Sequence, residues 1–180
     1  PLDKGVTSIV AAIYNRTTGE TIYSESADKH MPQASITKLM TFYVALKYGN
    51  LSDVVTIKGE WLANLDPQSS ICGIKDGDEI TLEQLLYGLM IPSGNDAANA
   101  IAYHIAGSEE AFVQLMNQTA QMFGMTNTNF MNPHGLHHDY HYTTARDLAT
   151  LSYEAMKNDT FKDIVRSDRH QMGVTNMQKE

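Results

Sequence analysis

A chain of 180 residues with 42% hydrophobic content is long enough for one domain with a sizeable core. Its formal net charge of −8 argues against nucleic acid and against anionic membrane surfaces as partners. The single cysteine, Cys72, excludes an internal disulfide, and no apolar run reaches the roughly 18 residues a membrane-spanning helix needs. With Pro1 in place of Met and no leader-like stretch, the chain reads as processed or trimmed at its start. Any membrane contact is therefore expected through segments outside it.

Ser8 to Tyr14 is short, apolar and partly β-branched, which predicts a buried strand. Asn15 to Gly19 is turn-like, and Glu20 to Glu25 alternates as a returning strand, so a hairpin opens the chain. Ala34-Ser35-Ile36-Thr37-Lys38-Leu39-Met40-Thr41 follows, at the mouth of a very apolar helix, Ile36 to Tyr48, closed by Gly49. Its apolar residues lie nearly all round, which predicts burial in the middle of a domain. Ser35 and Lys38 stand three residues apart, close to one turn, and project from one face. An amine placed there can take a hydroxyl's proton without a histidine, and the helix N-terminus favours negative charge nearby. A serine needs such help, because its hydroxyl is a poor nucleophile at neutral pH. The bland alternative is an N-capping serine beside a solvated lysine.

A short strand is expected at Val54 to Ile57, and residues 59–80 read as irregular, with Lys75-Asp76-Gly77 a surface turn. Thr81 and Gln84 form a capping box for a helix striped by Leu82, Leu85, Leu86, Leu89 and Met90 and ended by Pro92. Ser93-Gly94-Asn95-Asp96 is a tight turn, with Asp96 read as the cap of Ala97 to Ala106. Ser108 caps a third helix and Thr144 a fourth, Ala145 to Lys157, with a loop from Thr126 to Tyr142 between them. A short apolar piece follows at Phe161, Ile164 and Val165, and the polar end from Asp168 to Glu180 carries no pattern. A hairpin followed mainly by helices is an odd α/β domain, since two strands alone make a marginal sheet. Either the helices carry the fold or further strands lie beyond Glu180.

Ser-x-x-Lys and a Ser-x-Asn turn form two parts of the joint signature of penicillin-binding proteins and class A β-lactamases. With Ser35-Ile36-Thr37-Lys38 and Ser93-Gly94-Asn95, the chain resembles the low-molecular-weight penicillin-binding proteins, serine D-alanyl-D-alanine carboxypeptidases of the peptidase S11 type. The likeness extends to Pro32–Thr41, Leu86–Ala98, Phe130–Leu136 (FMNPHGL) and Tyr142–Leu148 (YTTARDL), and covers roughly residues 6–165. The resemblance implies an α/β fold of the β-lactamase/transpeptidase kind, here a helical cluster with an N-terminal β-hairpin, cut before the remaining sheet strands. Residues 1–180 then form one partial catalytic domain. The family's third motif, Lys-Thr-Gly on a strand, is absent; Lys75-Asp76-Gly77 precedes the second motif and is not it. The expectation is that this motif follows residue 180, and that the fragment alone is a poor catalyst.

By resemblance, Ser35 attacks the penultimate D-Ala carbonyl of a peptidoglycan stem peptide. Lys38, neutralised by burial and cationic neighbours, takes its proton, and Ser93 relays a proton to the leaving D-Ala. Asn95 binds the substrate amide or holds Lys38. β-Lactams acylate Ser35 in imitation. The place implied is extracytoplasmic, at the cell wall or the periplasmic face of the membrane. No cofactor is expected. His134, His137, His138 and His141 have metal-like spacings, but without cysteine partners they read as solvated loop histidines, so no metal is expected. Cys72 is given no role, and Asp147 and Arg146 read as a cap and a surface pair. The rival readings are a β-lactamase, disfavoured because Phe130 to Tyr142 holds no glutamate, and a non-catalytic penicillin-binding sensor.

Overall fold

The computed structural model describes residues 8–63, 65–171, 173 and 175–176. The hairpin is present: β1 (Ala11–Tyr14) pairs antiparallel with β2 (Thr21–Glu25), with a register shift between Ile13 and Tyr14. Its tip is an Asx turn, Thr17 N donating to Asn15 Oδ1 at 2.8 Å. β1 is not the buried strand its apolar run predicts; Ile13 is 38% exposed. Helix α5 (Ala145–Ala155) packs on it, but beside it an apolar groove of about 500 Å³, lined by Ala11, Met31, Ile36 and Leu148 among others, stays open.

Two further strand pairs are very short. β3 (Met31–Pro32) pairs with β6 (Tyr142–Thr143), and β4 (Val54–Thr56) with β5 (Glu79–Thr81). The first was not expected at all. It fastens the segment before Ser35 to the far end of the Thr126 to Tyr142 loop, and Gln33 Nε2 adds donations to the carbonyls of Asn129 and Tyr142 at 3.1 and 3.0 Å.

The helices carry the core. A 3₁₀ turn, Ala34–Thr37, runs into α1 (Lys38–Tyr48). Met40, Phe42, Val44 and Ala45 of α1 are fully buried, as central placement demands. The burial is not complete all round, because Ile36 is 49% exposed at the rim of the groove. Around α1 lie α2 (Leu82–Met90), α3 (Asn95–Ala106), α4 (Glu109–Met122) and α5. The small residues Ala97, Ala98, Ala100 and Ala102 of α3 are buried, and such side chains let neighbouring backbones approach closely. From α6 (Asp159–Val165), Phe161 meets Phe42 edge to face, ring centres 5.1 Å apart.

The local caps behave as read. Thr81 and Gln84 form the capping box of α2, Ser108 caps α4, and Thr144 caps α5. Asn158 caps α6, where only a short apolar piece was expected. Two acidic readings are corrected. Asp147 is not the cap of α5: its carboxylate accepts from Asn127 N at 3.0 Å and Thr128 Oγ1 at 2.7 Å and so holds the loop. Asp96 is not the cap of α3, which starts at Asn95, two residues before the expected Ala97, behind Gly94 with no side-chain cap. Arg146 is the surface pair expected, bidentate to Asp28 at 2.6 and 2.9 Å.

Candidate active site

Ser35 is the second residue of the 3₁₀ turn, and the turn enters from a strained position: Ala34 has φ +48°. The close approach of Gly135 goes with this shape. A Cβ on Gly135 would collide with the Ala34 carbonyl group and stand 3.0 Å from Ser35 N. Gly135 itself has φ +94°, a conformation open to glycine. The backbone of the nucleophile turn therefore rests directly on the backbone of the FMNPHGL segment. Thr41 Oγ1 donates to the Pro133 carbonyl at 2.5 Å, adding a second fastening.

Lys38 sits one turn on from the exposed Ser35, its residue only 2% exposed. Its Nζ lies 3.5 Å from Ser35 Oγ and donates to the His134 carbonyl at 2.7 Å. Burial pulls its pKa down to about 8, against the nearby Asp96 carboxylate, which pulls it up. An amine with that value is neutral in roughly a tenth of molecules at pH 7, a few hundredfold more than a free lysine. The expected cationic neighbours are not what lowers it; burial does, and the charge that bears on Lys38 is an anion.

Two of the four loop histidines are not solvated. His134 is 7% and His141 4% exposed. His141 Nδ1 accepts from Met131 N at 2.9 Å, so its proton sits on Nε2, 2.7 Å from Thr37 Oγ1, between Ser35 and Lys38 in sequence. His134 Nδ1 accepts from Leu136 N at 3.1 Å. Burial first, and then neighbouring cationic groups, push both imidazoles down to about 4, so both are neutral near pH 7. They serve the turn as neutral struts. Among the described residues no group of three or more His, Cys, Asp or Glu side chains is placed to hold a metal ion.

Ser93 has φ +60°, a strained value for a non-glycine residue, at the head of α3. Gly94 N donates to the Gly88 carbonyl at 3.0 Å and Asn95 N to the Ser70 carbonyl at 2.8 Å. Asn95 is 5% exposed. Among the described residues no direct hydrogen bond joins the Ser93 or Asn95 side chain to Ser35 or Lys38; the Lys38 ammonium is held by the His134 carbonyl. The structure thus brings Ser35 and Lys38 within reach of each other and sets the second turn on α3, which packs against α1.

A model of the D-alanyl-D-alanine carboxypeptidase family matches residues 3–179. The chain belongs to the D-alanyl-D-alanine carboxypeptidase family. It is 36% identical over 170 residues to DacF of Bacillus subtilis, covering 88% of this chain and 43% of that protein. It is 41% identical over 141 residues to DacC of Escherichia coli, covering 74% and 35%. Among solved structures, a serine-to-alanine variant of the Streptomyces K15 DD-transpeptidase superposes with a TM-score of 0.90 at 33% identity, over 98% of this chain and 72% of that one. Penicillin-binding protein 5 of Haemophilus influenzae gives 0.81 at 33% identity, over 87% and 47%. This chain therefore has part of the α/β fold of these penicillin-binding DD-peptidases, and it spans less than half the length of DacF or DacC.

Three features of the site carry no signal in the sequence. His134 contributes its carbonyl, which any residue could supply, and Gly135 contributes room. Asp96 accepts from amides 22 to 24 residues earlier in the chain.

Proposed function

We propose that the protein is a serine D-Ala-D-Ala carboxypeptidase that trims peptidoglycan stem peptides outside the cytoplasm and is acylated by β-lactams, with residues 1–180 belonging to one catalytic domain. Membership of the carboxypeptidase family supports this reading. The observation that carries it is the buried Lys38 amine, 3.5 Å from the exposed Ser35 hydroxyl and with its pKa brought to about 8.

In the reaction, the Ser35 oxygen attacks the carbonyl carbon of the penultimate D-Ala as neutral Lys38 takes the hydroxyl proton. The developing oxyanion is met by Ser35 N–H at the start of the helical run. The C–N bond breaks, the terminal D-Ala nitrogen takes a proton relayed through Ser93, and an ester on Ser35 remains. Asn95 hydrogen-bonds the peptide amide of the substrate. Water then attacks the ester, gives one proton back to the Ser35 oxygen and releases the other to solvent, leaving the stem peptide with a free carboxylate.

The reading is tested by incubating the full-length protein with a stem pentapeptide and measuring released D-Ala. Wild type releases D-Ala, Ser35→Ala releases none, and Ser93→Ala releases it slowly. Release by Ser35→Ala at the wild-type rate would remove Ser35 from the chemistry.

A further inference from the structure

Asp96 is 2% exposed, and its carboxylate meets four backbone N–H groups. Oδ1 accepts from Cys72 N and Ala97 N, both at 2.9 Å; Oδ2 accepts from Gly73 N at 2.8 Å and Ile74 N at 3.2 Å. These acceptances fill the lone-pair positions of an ionised carboxylate. Three of the four donors belong to one loop, and that loop is the wall of the second turn. Ser70, two residues before Cys72, holds Asn95 N through its carbonyl. The fit is tight: a Cβ on Gly94 would lie 2.7 Å from the Gly88 carbonyl oxygen and 2.8 Å from Asp96 Oδ1. A Cβ on Gly88 would lie 2.9 Å from Cys72 Sγ. Ser93, at φ +60°, keeps its strained backbone only if its surroundings hold it.

We propose that Asp96 is a positioning residue: its carboxylate gathers the 72–74 amides onto the head of α3 and thereby fixes where Ser93 and Asn95 stand, while its charge reaches Lys38 across the α1–α3 contact. This rests on the reading of Ser35 and Lys38 as nucleophile and base. Asp96 touches no reacting atom among the described contacts. It sets the geometry of the second turn and the protonation of the base together.

The groups that face this pair are few. Lys38 meets Ser35 from its own helical run, the His134 carbonyl from the loop and Asp96 from α3. The His134 ring is neutral above about pH 4, Glu109 of α4 stands 3.8 Å from that ring, and His141 bears on it from further along the loop. Cys72 is held protonated, pushed up to about 12 by burial and then by Asp96 itself. Across pH 6 to 9, then, the His134 and His141 rings and the Cys72 thiol stay neutral. Asp96 raises the Lys38 pKa against the larger, lowering effect of burial. Removing the negative charge must move that pKa further down.

The test is acylation of the full-length protein by a chromogenic β-lactam over pH 6 to 9, for wild type, Asp96→Asn and Asp96→Glu. An asparagine can offer one oxygen; its NH₂ then faces two amide donors, so the clamp is half lost. Asp96→Asn is expected to acylate about tenfold or more slowly at the plateau, with the rising limb shifted to lower pH. Asp96→Glu keeps the charge but misfits the amides, so it is expected to lose a similar factor with the limb unmoved. A merely structural residue would lower both plateaus and move neither limb. That result, or wild-type rates in both variants, overturns the proposal. Should Asp96→Asn not fold, Asp96→Glu decides alone: a tenfold loss of acylation at an unchanged thermal midpoint supports the clamp, and a wild-type rate, or a loss matched by a lowered midpoint, overturns it. Failure of the underlying reading looks different, because then wild type itself would not be acylated at Ser35.

Discussion

Acidification should loosen this protein well before its carboxylates titrate, and the buried histidines are the reason. His134 and His141 have pKa values near 4 in the folded chain, against about 6.5 when free. Between these values the unfolded chain binds more protons than the folded one, so stability rises with pH and falls on acidification. From pH 7 to pH 5 each histidine costs about 2 kcal/mol, and the pair about 4. In a domain of this size, that lowers the thermal midpoint by roughly 10 °C. Glu109, held above its ordinary range by burial and then by Glu110, works in the opposite sense. The assay is the thermal midpoint at pH 7, 6 and 5, for wild type and for His141→Gln. The variant lacks one of the two buried rings and should show about half the wild-type fall. A wild-type midpoint that stays level from pH 7 to pH 5 would refute the neutral-strut account of these two residues.

Replacing Lys38 by arginine keeps the charge but removes the base, so acylation by a chromogenic β-lactam should slow by on the order of 10²-fold or more. In wild type the acylation rate should climb with pH toward a limb near 8, where Lys38 loses its proton; a rate flat through that range would remove Lys38 as the base. Gly135→Ala forces a left-handed φ on alanine and drives a methyl against the Ala34 carbonyl and Ser35 N. It should cost about 2 kcal/mol or more of stability and block acylation, whereas Gly107→Ala, left-handed but in open space, should be milder and should still acylate. Comparable acylation by the two variants would contradict the packing described for the nucleophile turn. Phe42→Ala, which opens the centre of the helical core, should destabilise by about 3–5 kcal/mol in denaturant titration.

What was legible in the residues was local or came with a family pattern. The Thr81–Gln84 box and the Ser108 and Thr144 caps are decided within four residues, and the structure keeps them. The apolar stripe of α2 is likewise a local periodicity. The β3–β6 pair joins residues more than a hundred positions apart through two-residue strands, one containing Pro32, and no periodicity can announce that. β1 read as buried because its side chains are apolar, yet burial depends on what packs beside it. Asp96 sits where a helix cap is expected, so its true partners in the 72–74 loop were hidden by a plausible local role. His134 and His141 looked solvated because loop histidines ordinarily are; only the tertiary contact of the loop with the Ser35 turn buries them.

The central claim is that Ser35 is the nucleophile and that its neighbour Lys38 activates it. Mass mapping after brief exposure to penicillin tests it most directly. The account predicts one added penicilloyl group, carried by the peptide containing Ser35 and absent from Ser35→Ala. An adduct on Ser93 or elsewhere, or an unchanged adduct in Ser35→Ala, would contradict it.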